Sequence, residues 1–233
     1  KHSPEQIAGV AKKNGDKCVS HERIYQFIWQ DKRKKGTLYL DLRNRGRRYK
    51  KRSVIYDKRG IIPNRTDISQ RPPEVELRER FGDLEIDLII GKNHKGAILT
   101  INDRATGFGK LRKLDGKDAQ QLATATIDCL MEWKPFLKTI TSDNGKEFAA
   151  HELVAKHLNI DFFFAKPYAS WQRGSNENFN RLVRQYIPKK VDFDCIPTDY
   201  INFVEYQLNN RPRKRFKYES PMFMFNQKVA FST

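Results

Sequence analysis

Apolar and polar residues alternate in the middle of the chain, and this pattern predicts a run of β-strands. Segment 81–91 has apolar residues at positions 84, 86, 88 and 90, the two-residue period of a strand with one buried face. Segments 95–106 and 107–114 follow after short connections, so an antiparallel meander of three strands is expected. Segments 137–145 and 160–167 are predicted as the fourth and fifth strands.

Segments with a helical period lie between and after these strands. Residues 118–133 and 147–158 are predicted as amphipathic helices, and a further helix begins near Glu177. In that last helix, the spacing i, i+3, i+4 and i+7 defines one apolar stripe of Phe179, Leu182, Val183 and Tyr186. Three strands followed by helix, strand, helix, strand and helix are typical of a ribonuclease-H-like α/β fold. We therefore expect residues 74–233 to form a mixed sheet flanked by helices.

The front of the chain predicts a small helical domain over residues 1–40. Ser3-Pro4 is a helix-start signal, and Ser20 is a candidate N-cap for a second helix whose inner face would carry Ile24, Phe27 and Ile28. Two short helices with a tight connection indicate a helix-turn-helix or an ordinary helical hairpin. In a helix-turn-helix, the residues predicted to read DNA bases are His21, Arg23 and Gln26.

Positive charge is concentrated in the first third of the chain. The formal net charge is +17, and residues 1–70 hold 19 Lys or Arg against 7 Asp or Glu, so we expect a polyanionic partner. The densest run, LRNRGRRYKKR at 42–52, lacks apolar periodicity and suits an arm that follows DNA phosphates or a groove. A solvated tail or a localisation signal is the alternative. The arm residues predicted to contact DNA are Arg43, Arg45, Arg47, Arg48, Lys50, Lys51 and Arg52. Residues 41–73 are predicted as this basic arm and a linker.

Several protein classes fit the sequence poorly. No apolar run approaches the length of a membrane span, and no signal-peptide pattern opens the chain, which begins KHSPEQ. The three cysteines, Cys18, Cys129 and Cys195, lie far apart and form no CxxC pair. A zinc ribbon or a disulfide framework is therefore not expected, and a reducing cytosol fits the sequence.

Three acidic residues are candidates for chemistry because of their positions. Asp87 lies in the middle of the first strand, on the face that it shares with Glu85. An acid among so many apolar residues costs free energy unless it has a partner, which is usually a cation. Asp143 ends the fourth strand in TSDNG, at the edge of the sheet where ligands bind, although a plain Asp-Asn-Gly turn also explains it. Glu177 opens its helix between two asparagines, where a solvated helix face is the alternative.

In this fold the first and fourth strands are expected to be adjacent in the central sheet, with the helix of Glu177 packed beside them. The three carboxylates would then converge in one pocket. Carboxylates converging in this way need cations, and oxygen ligands suit Mg²⁺ or Mn²⁺. Two such ions, about 3.5–4 Å apart, support in-line attack at phosphorus. Asp87 would bridge both ions, Asp143 and Glu177 would each hold one, and Arg184 could pair with a phosphate.

At these residues the sequence resembles the DDE triad of transposases and retroviral-type integrases. Asp143 and Glu177 are 34 positions apart, and TSDNGKEF, KPYASWQRGSNEN and NRLVRQYIPK resemble motifs of the bacterial insertion-sequence-thirty transposase family. SPEQIAG and VSHERIYQFIW resemble the second helix-turn-helix of that family, and LNNRPRKRFKYESP (208–221) resembles its C-terminal segment. The resemblance covers nearly the whole chain. A further N-terminal helix-turn-helix of the family would precede residue 1.

The resemblance implies a DDE transposase that binds the terminal inverted repeats of its own element. Such an enzyme would hydrolyse a phosphodiester to free a 3′-hydroxyl and would use that hydroxyl to attack target DNA. The implied partners are double-stranded DNA and a second copy of the chain, as a dimer or higher oligomer, in the bacterial cytoplasm at the nucleoid. The residues expected along the DNA path are Trp171, Arg173, Asn180, Arg181 and Arg184, with a buried core tryptophan as the alternative for Trp171.

Two rival functions remain open. Another integrase or ribonuclease-H-like nuclease would share the triad, although the front of the chain lacks the His/Cys zinc pattern of retroviral-type integrases. A catalytically silent, domesticated DNA-binding regulator would have no need for three converging acids.

Overall fold

A computed structural model of the chain describes residues 2–43, 62–167, 169–189 and 191–230. These ranges include both front helices and the predicted sheet. The predicted DNA contacts that lie outside the described residues are Arg45, Arg47, Arg48, Lys50, Lys51 and Arg52. Their role therefore stays a prediction from the sequence.

The two front helices begin where the sequence predicts. Helix α1 (Pro4–Asn14) has a capping box, in which the Gln6 N–H donates to Ser3 Oγ at 3.3 Å and the Ser3 N–H donates to Gln6 Oε1 at 2.9 Å. Helix α2 (His21–Arg33) begins after Ser20, whose Oγ accepts the Arg23 N–H at 3.2 Å. The prediction that Phe27 lies on the inner face is wrong, because α2 packs on α1 and the turn after it and leaves Phe27 63% exposed. The helix-turn-helix role stays a prediction.

The strands of the described residues form one mixed sheet. They are β1 (Thr66–Asp67), β2 (Asp83–Ile90), β3 (Ala97–Asp103), β4 (Gly109–Leu114), β5 (Thr139–Ser142) and β6 (Asp161–Phe164). Their spatial order is β1-β6-β5-β2-β3-β4. β2, β3 and β4 pair antiparallel as the predicted meander, whereas β5 joins β2 in parallel and β6 joins β5 in parallel. The predicted adjacency of the first and fourth strands of the sequence, β2 and β5, is confirmed.

Helices cover both faces of the sheet. On one face, α4 (Ala119–Leu130) and α5 (His151–Leu158) pack with Leu84, Ile86 and Leu88. On the other face, α6 (Gly174–Tyr186) and α7 (Thr198–Asn209) pack with Ile89 and Ile98. Because side chains alternate along a strand, the face that holds Ile89 also holds Glu85 and Asp87. These two acids therefore face α6.

Four elements of the fold, β1, α7 and two further helices, were not predicted from periodicity. β1 adds a two-residue parallel edge strand beside β6, within a segment predicted as linker. Helix α3 (Glu74–Leu77) leads into β2. Helix α8 (Pro221–Ala230) packs Met222, Phe225 and Val229 against the core that α4 and α5 form with the sheet. A two-residue strand and a four-residue helix are too short to show a period. The division of the chain into three domains stays a prediction.

Candidate active site

Asp87 projects from the centre of β2 towards helix α6. Its Oδ1 accepts the Leu88 N–H at 2.9 Å, and its Oδ2 accepts an Nδ2–H of Asn180 at 2.9 Å. About a quarter of the Asp87 side chain remains exposed. Burial raises the pKa of Asp87 to about 6, although the nearby positive charge of Arg173 opposes this rise. The carboxyl is thus held in place but poorly solvated, so a cation beside it is favourable.

Asp143 follows directly after β5, on the strand beside β2. Its Oδ1 accepts the Gly145 N–H at 3.0 Å, which is the contact expected of an Asp-Asn-Gly turn. Its Oδ2 lies 3.5 Å from Nη2 of Arg173. Asp143 can therefore stabilise the turn and take part in the candidate site at once, because each of its carboxylate oxygens has a different role.

The guanidinium of Arg173 lies between the two aspartates. Its Nη1 is 3.5 Å from Asp87 Oδ2, and its Nη2 is 3.5 Å from Asp143 Oδ2. Nη1 also donates to the Ile86 carbonyl at 3.3 Å, while the buried Nε has no hydrogen-bond partner in the described part of the chain. Arg173 was predicted to lie along a DNA path, and the structure places it inside the acidic pair. One cation already bridges these two carboxylates.

Glu177 stands apart from the two aspartates. It lies in the first turn of α6 with 47% of its side chain exposed, and its Oε1 is 3.4 Å from Nη2 of Arg181. Among the described residues, no three His, Cys, Asp or Glu side chains lie close enough together to hold a metal ion. The structure therefore brings Asp87 and Asp143 together, and Glu177 would have to turn away from Arg181 to join them.

A buried ion-pair network, which was not predicted from the sequence, anchors the start of α6. Glu85 is fully buried, and its Oε2 accepts the Asn176 backbone N–H at 2.8 Å. Its Oε1 pairs with Nη1 of Arg104, whose Nη2 lies 2.9 Å from Glu76 Oε2. Glu85 lies two residues from Asp87 on the same face of β2, so the strand pattern could have indicated Glu85 as a second acid facing α6. Asn176 therefore ties the helix to the sheet, and Asn178 accepts a hydrogen bond from Arg43.

The remaining residues predicted along the DNA path have different surroundings. Trp171 is 74% exposed, so the core alternative for it is wrong. Asn180 contacts Asp87, and Arg181 is exposed beside Glu177. Arg184 instead donates to the carbonyls of Ile90 at 3.0 Å and Pro188 at 3.3 Å. A phosphate contact by Arg184 would have to displace these two bonds, and it stays a prediction.

The predicted contacts of the front segment lie on its surface. His21, Arg23 and Gln26 are all exposed on α2, and Arg23 Nη1 donates to Gln26 Oε1 at 3.3 Å. Arg43 Nη2 donates to Asn178 Oδ1 at 2.6 Å, which links the start of the arm to α6.

None of the helices in the described ranges combines the length and the apolar character needed to cross a membrane.

Comparison with known proteins identifies the family. No protein-family model matches the chain. The transposase for insertion sequence element IS4351 of Bacteroides fragilis is 56% identical over 236 aligned residues, covering 99% of this chain and 72% of that protein. The transposase for insertion sequence element IS1086 of Cupriavidus metallidurans is 34% identical, covering 100% of this chain and 71% of that protein. The chain belongs to the insertion sequence transposases.

This family includes transposase InsI for insertion sequence element IS30C of Escherichia coli, which is 32% identical over 100% of this chain and 63% of its own length. The predicted resemblance to insertion-sequence-thirty transposases is therefore confirmed, and so is the predicted enzyme class, a DDE transposase that acts in DNA transposition. The catalytic core domain of BIV integrase has the same fold, with a TM-score of 0.52 at 19% identity over 64% of this chain and 97% of that one. The ribonuclease-H-like fold class is thus confirmed. Enzymes of this class act on DNA and in general use divalent metal ions.

Proposed function

We propose that this transposase binds the terminal inverted repeats of its element, cleaves there, and joins the freed ends to target DNA at a site built from Asp87, Asp143 and Glu177. The observation that carries this proposal is the pairing of Asp87 and Asp143 on neighbouring strands, with one cationic group between them. Two carboxylates that converge on one cationic group offer the oxygen ligands that the divalent ions of metal-dependent phosphoryl transfer need.

The donor set fits Mg²⁺ or Mn²⁺, two ions per site. Asp87 Oδ2 and Asp143 Oδ2 are hard oxygen donors, and the Arg173 guanidinium stands where a cation is stabilised. When bound, the ions would activate the attacking oxygen and stabilise the leaving oxygen of an in-line displacement. Asp87 would serve both ions, and Asn180 would hold its carboxyl in orientation through the Nδ2 bond.

Glu177 would complete the ligand set by a rotation of its side chain. Its carboxylate is exposed and paired only at 3.4 Å with Arg181, a surface contact that costs little to break. The backbone beneath it is held in place, because Glu85 accepts the Asn176 N–H at the start of α6. Arg181, released from Glu177, would then be available to a DNA phosphate.

Arg173 would exchange its partners when DNA and metal arrive. Its guanidinium is fixed at one end by the Ile86 carbonyl, and its two ion pairs at 3.5 Å are long. A planar guanidinium also suits a phosphate. Exposed Trp171 stands two residues earlier, where it could stack on a displaced base. The front helices and the basic arm would recognise the element ends. A second copy of the chain would supply the second active site.

A strand-transfer assay tests this function. Labelled duplexes that carry the inverted repeats flanking the gene are incubated with target DNA and Mg²⁺, with either the chain or Glu177→Gln. We expect joined products from the wild type alone, because an amide is a much weaker ligand for a hard cation than a carboxylate. An equal amount of joined product from Glu177→Gln would show that Glu177 is not a metal ligand of the site. Binding to the ends without product from either protein would argue that this chain does not catalyse the reaction.

Replacing Arg173 tests its position between the aspartates. Arg173→Gln is expected to tighten Mn²⁺ binding by roughly fivefold or more, since one unit charge about 4 Å away is worth on the order of 1 kcal/mol even in water. The same variant should join DNA ends more slowly, because it lacks the phosphate partner. Mn²⁺ affinity is measured by calorimetric titration without DNA, with Lys156→Gln on the exposed surface of α5 as a charge-matched control. Weaker Mn²⁺ binding by Arg173→Gln would mean that Arg173 supports the metal site.

A further inference from the structure

A second cluster of cations lies on the other side of α6, where nothing in the proposed chemistry uses it. A cavity of about 320 Å³ opens between the start of α6, the chain after α7 and the front segment. The lining residues that matter here are Arg43, Ser175, Asn178, Arg211, Arg213 and Arg215. We call this cavity the arginine pocket. Three of its arginines come from the stretch RPRKR at 211–215, which periodicity did not place in any element.

The cations of the arginine pocket are bound to neutral groups. Arg211 is 4% exposed, and it donates to Gln6 Oε1 at 3.0 Å and to Gln185 Oε1 at 2.6 Å. Arg213 donates to the Leu208 carbonyl at 3.0 Å. Within the described ranges, no carboxylate lies at salt-bridge distance from any of the four arginines of the pocket.

The positive charges in the pocket crowd one another, and within the described part of the chain none of its four arginines has a carboxylate at salt-bridge distance. The pKa of Arg213 is lowered to about 9, first by burial and then by the charges of Arg211, Arg215 and Arg43. Burial also lowers the pKa of Arg211. Bringing cations together away from water costs free energy, and an anion among them would recover it. Glu5 at the rim does not serve this purpose, because its Oε1 binds Lys214 Nζ at 2.6 Å.

An unpartnered hydroxyl also lines the pocket. Ser175 is 8% exposed, and its Oγ has no hydrogen-bond partner among the described residues. Buried hydroxyl groups in proteins are normally satisfied, so an orphaned one in a polar cavity indicates a missing partner. A serine hydroxyl beside several guanidinium groups offers a donor set that suits phosphate oxygens.

We infer that the arginine pocket binds a phosphate group of a DNA strand. At 3.6 residues per turn, Ser175 and Leu182 project from the side of α6 roughly opposite to Glu177. A phosphate in the pocket is therefore not the scissile one, and it belongs to DNA that passes the other side of the helix. Gln6 and Arg43 contact pocket residues, so the front segment and the catalytic sheet would grip this phosphate together. The inference rests on the proposed DNA substrate.

Binding measured without metal tests this inference separately from catalysis. Fluorescence anisotropy of a labelled inverted-repeat duplex is recorded over a series of KCl concentrations in EDTA, for wild type, Arg213→Gln, Arg43→Gln and Lys156→Gln. Each lost phosphate contact should reduce the slope of log K against log salt by about 0.9. We expect that reduction for Arg213→Gln and Arg43→Gln. Lys156→Gln, on α5 across the sheet, should keep the wild-type slope.

The outcomes separate the possible sources of the phosphate. Wild-type slopes in both arginine variants, or an equal loss in Lys156→Gln, would overturn the inference. If Arg213→Gln does not fold, Arg215→Gln replaces it, because Arg215 is an exposed residue of the same pocket and is not part of the basic arm. Inorganic pyrophosphate is the second probe. If it raises the Tm of the wild type but not of Arg43→Gln, while the DNA slopes stay equal, the pocket holds a free anion and DNA is not its ligand. Failed strand transfer with intact slope differences would contradict only the catalytic proposal.

Discussion

Asp87→Asn is expected to reduce strand transfer by roughly 10³-fold or more, because in the proposed site this carboxylate would hold the metal ions, whose charge stabilisation is worth several kcal/mol. The loss should be specific to catalysis. Asparagine has nearly the same shape, and its Oδ1 can still accept the Leu88 N–H. Its Nδ2 can donate to Asn180 Oδ1 after that amide flips, because Asn180 Oδ1 has no hydrogen-bond partner among the described residues. Removing a poorly solvated carboxylate costs no stability, so the free energy of unfolding should not fall. The rate of end joining in Mg²⁺ is the measurement.

The matched control for this experiment is Asp161→Asn. Asp161 opens β6 in the same sheet and is exposed, so its substitution removes the same charge without touching the acidic pair. It should retain the wild-type rate, and both variants should bind the element ends as the wild type does. Normal end joining by Asp87→Asn would show that Asp87 is not a metal ligand. Loss of end binding in that variant would mean that the carboxylate acts in substrate binding.

Arg104→Met is expected to lower the free energy of unfolding by about 3–5 kcal/mol, the usual result of removing one partner of a buried ion pair. Arg104 and Glu85 are both inaccessible to solvent, with side-chain exposures of 1% and 0%. Without Arg104, the Glu85 carboxylate would remain buried with the Asn176 N–H as its hydrogen-bond donor. Glu76, in contrast, is 63% exposed and can turn towards water. Urea-induced unfolding followed by circular dichroism gives the value.

Two further variants show whether the effect comes from the ion pair. Lys13→Met breaks the partly exposed contact with Glu219 and should change stability by less than about 1 kcal/mol. The double variant Glu85→Gln/Arg104→Met removes both charges and should recover part of the lost stability, because no buried charge is left unpaired. If Arg104→Met unfolded at the wild-type urea concentration, the network would not anchor the helix start. A double variant that is as unstable as the single one would point to lost packing.

Helix α6 connects the three features that matter for function. Asn180 on it orients Asp87, Glu177 in its first turn is the proposed third ligand, and Ser175 lines the arginine pocket. Its N-terminal backbone is fixed by Glu85. DNA bound in the arginine pocket and DNA cut at the aspartates would therefore contact opposite sides of helix α6. This arrangement would transmit end binding to the position of Glu177.

Local signals determined much of the fold and the identity of the candidate acids. The two-residue period of 81–91 predicted both the strand and the face shared by Glu85 and Asp87, because alternation is a property of the extended backbone itself. Ser3 and Ser20 predicted helix starts, because an N-cap bond joins residues three apart. The Asp143 to Glu177 spacing and its flanking motifs predicted the family for a different reason, since they are a resemblance between sequences.

Only the tertiary structure decided which groups meet. Arg173 reaches Asp87 and Asp143 over separations of 86 and 30 residues, and Arg104 reaches Glu85 and Glu76 inside the core. No periodicity encodes such pairs, because they arise when separate elements pack together and a buried charge must find a partner wherever the chain supplies one. The arginine pocket likewise exists only where the front segment, α6 and residues 211–215 come together. The sequence thus determined the elements with a clear period and the chemical types of the site, while packing decided that a cation sits between the two aspartates and that Glu177 stands outside them.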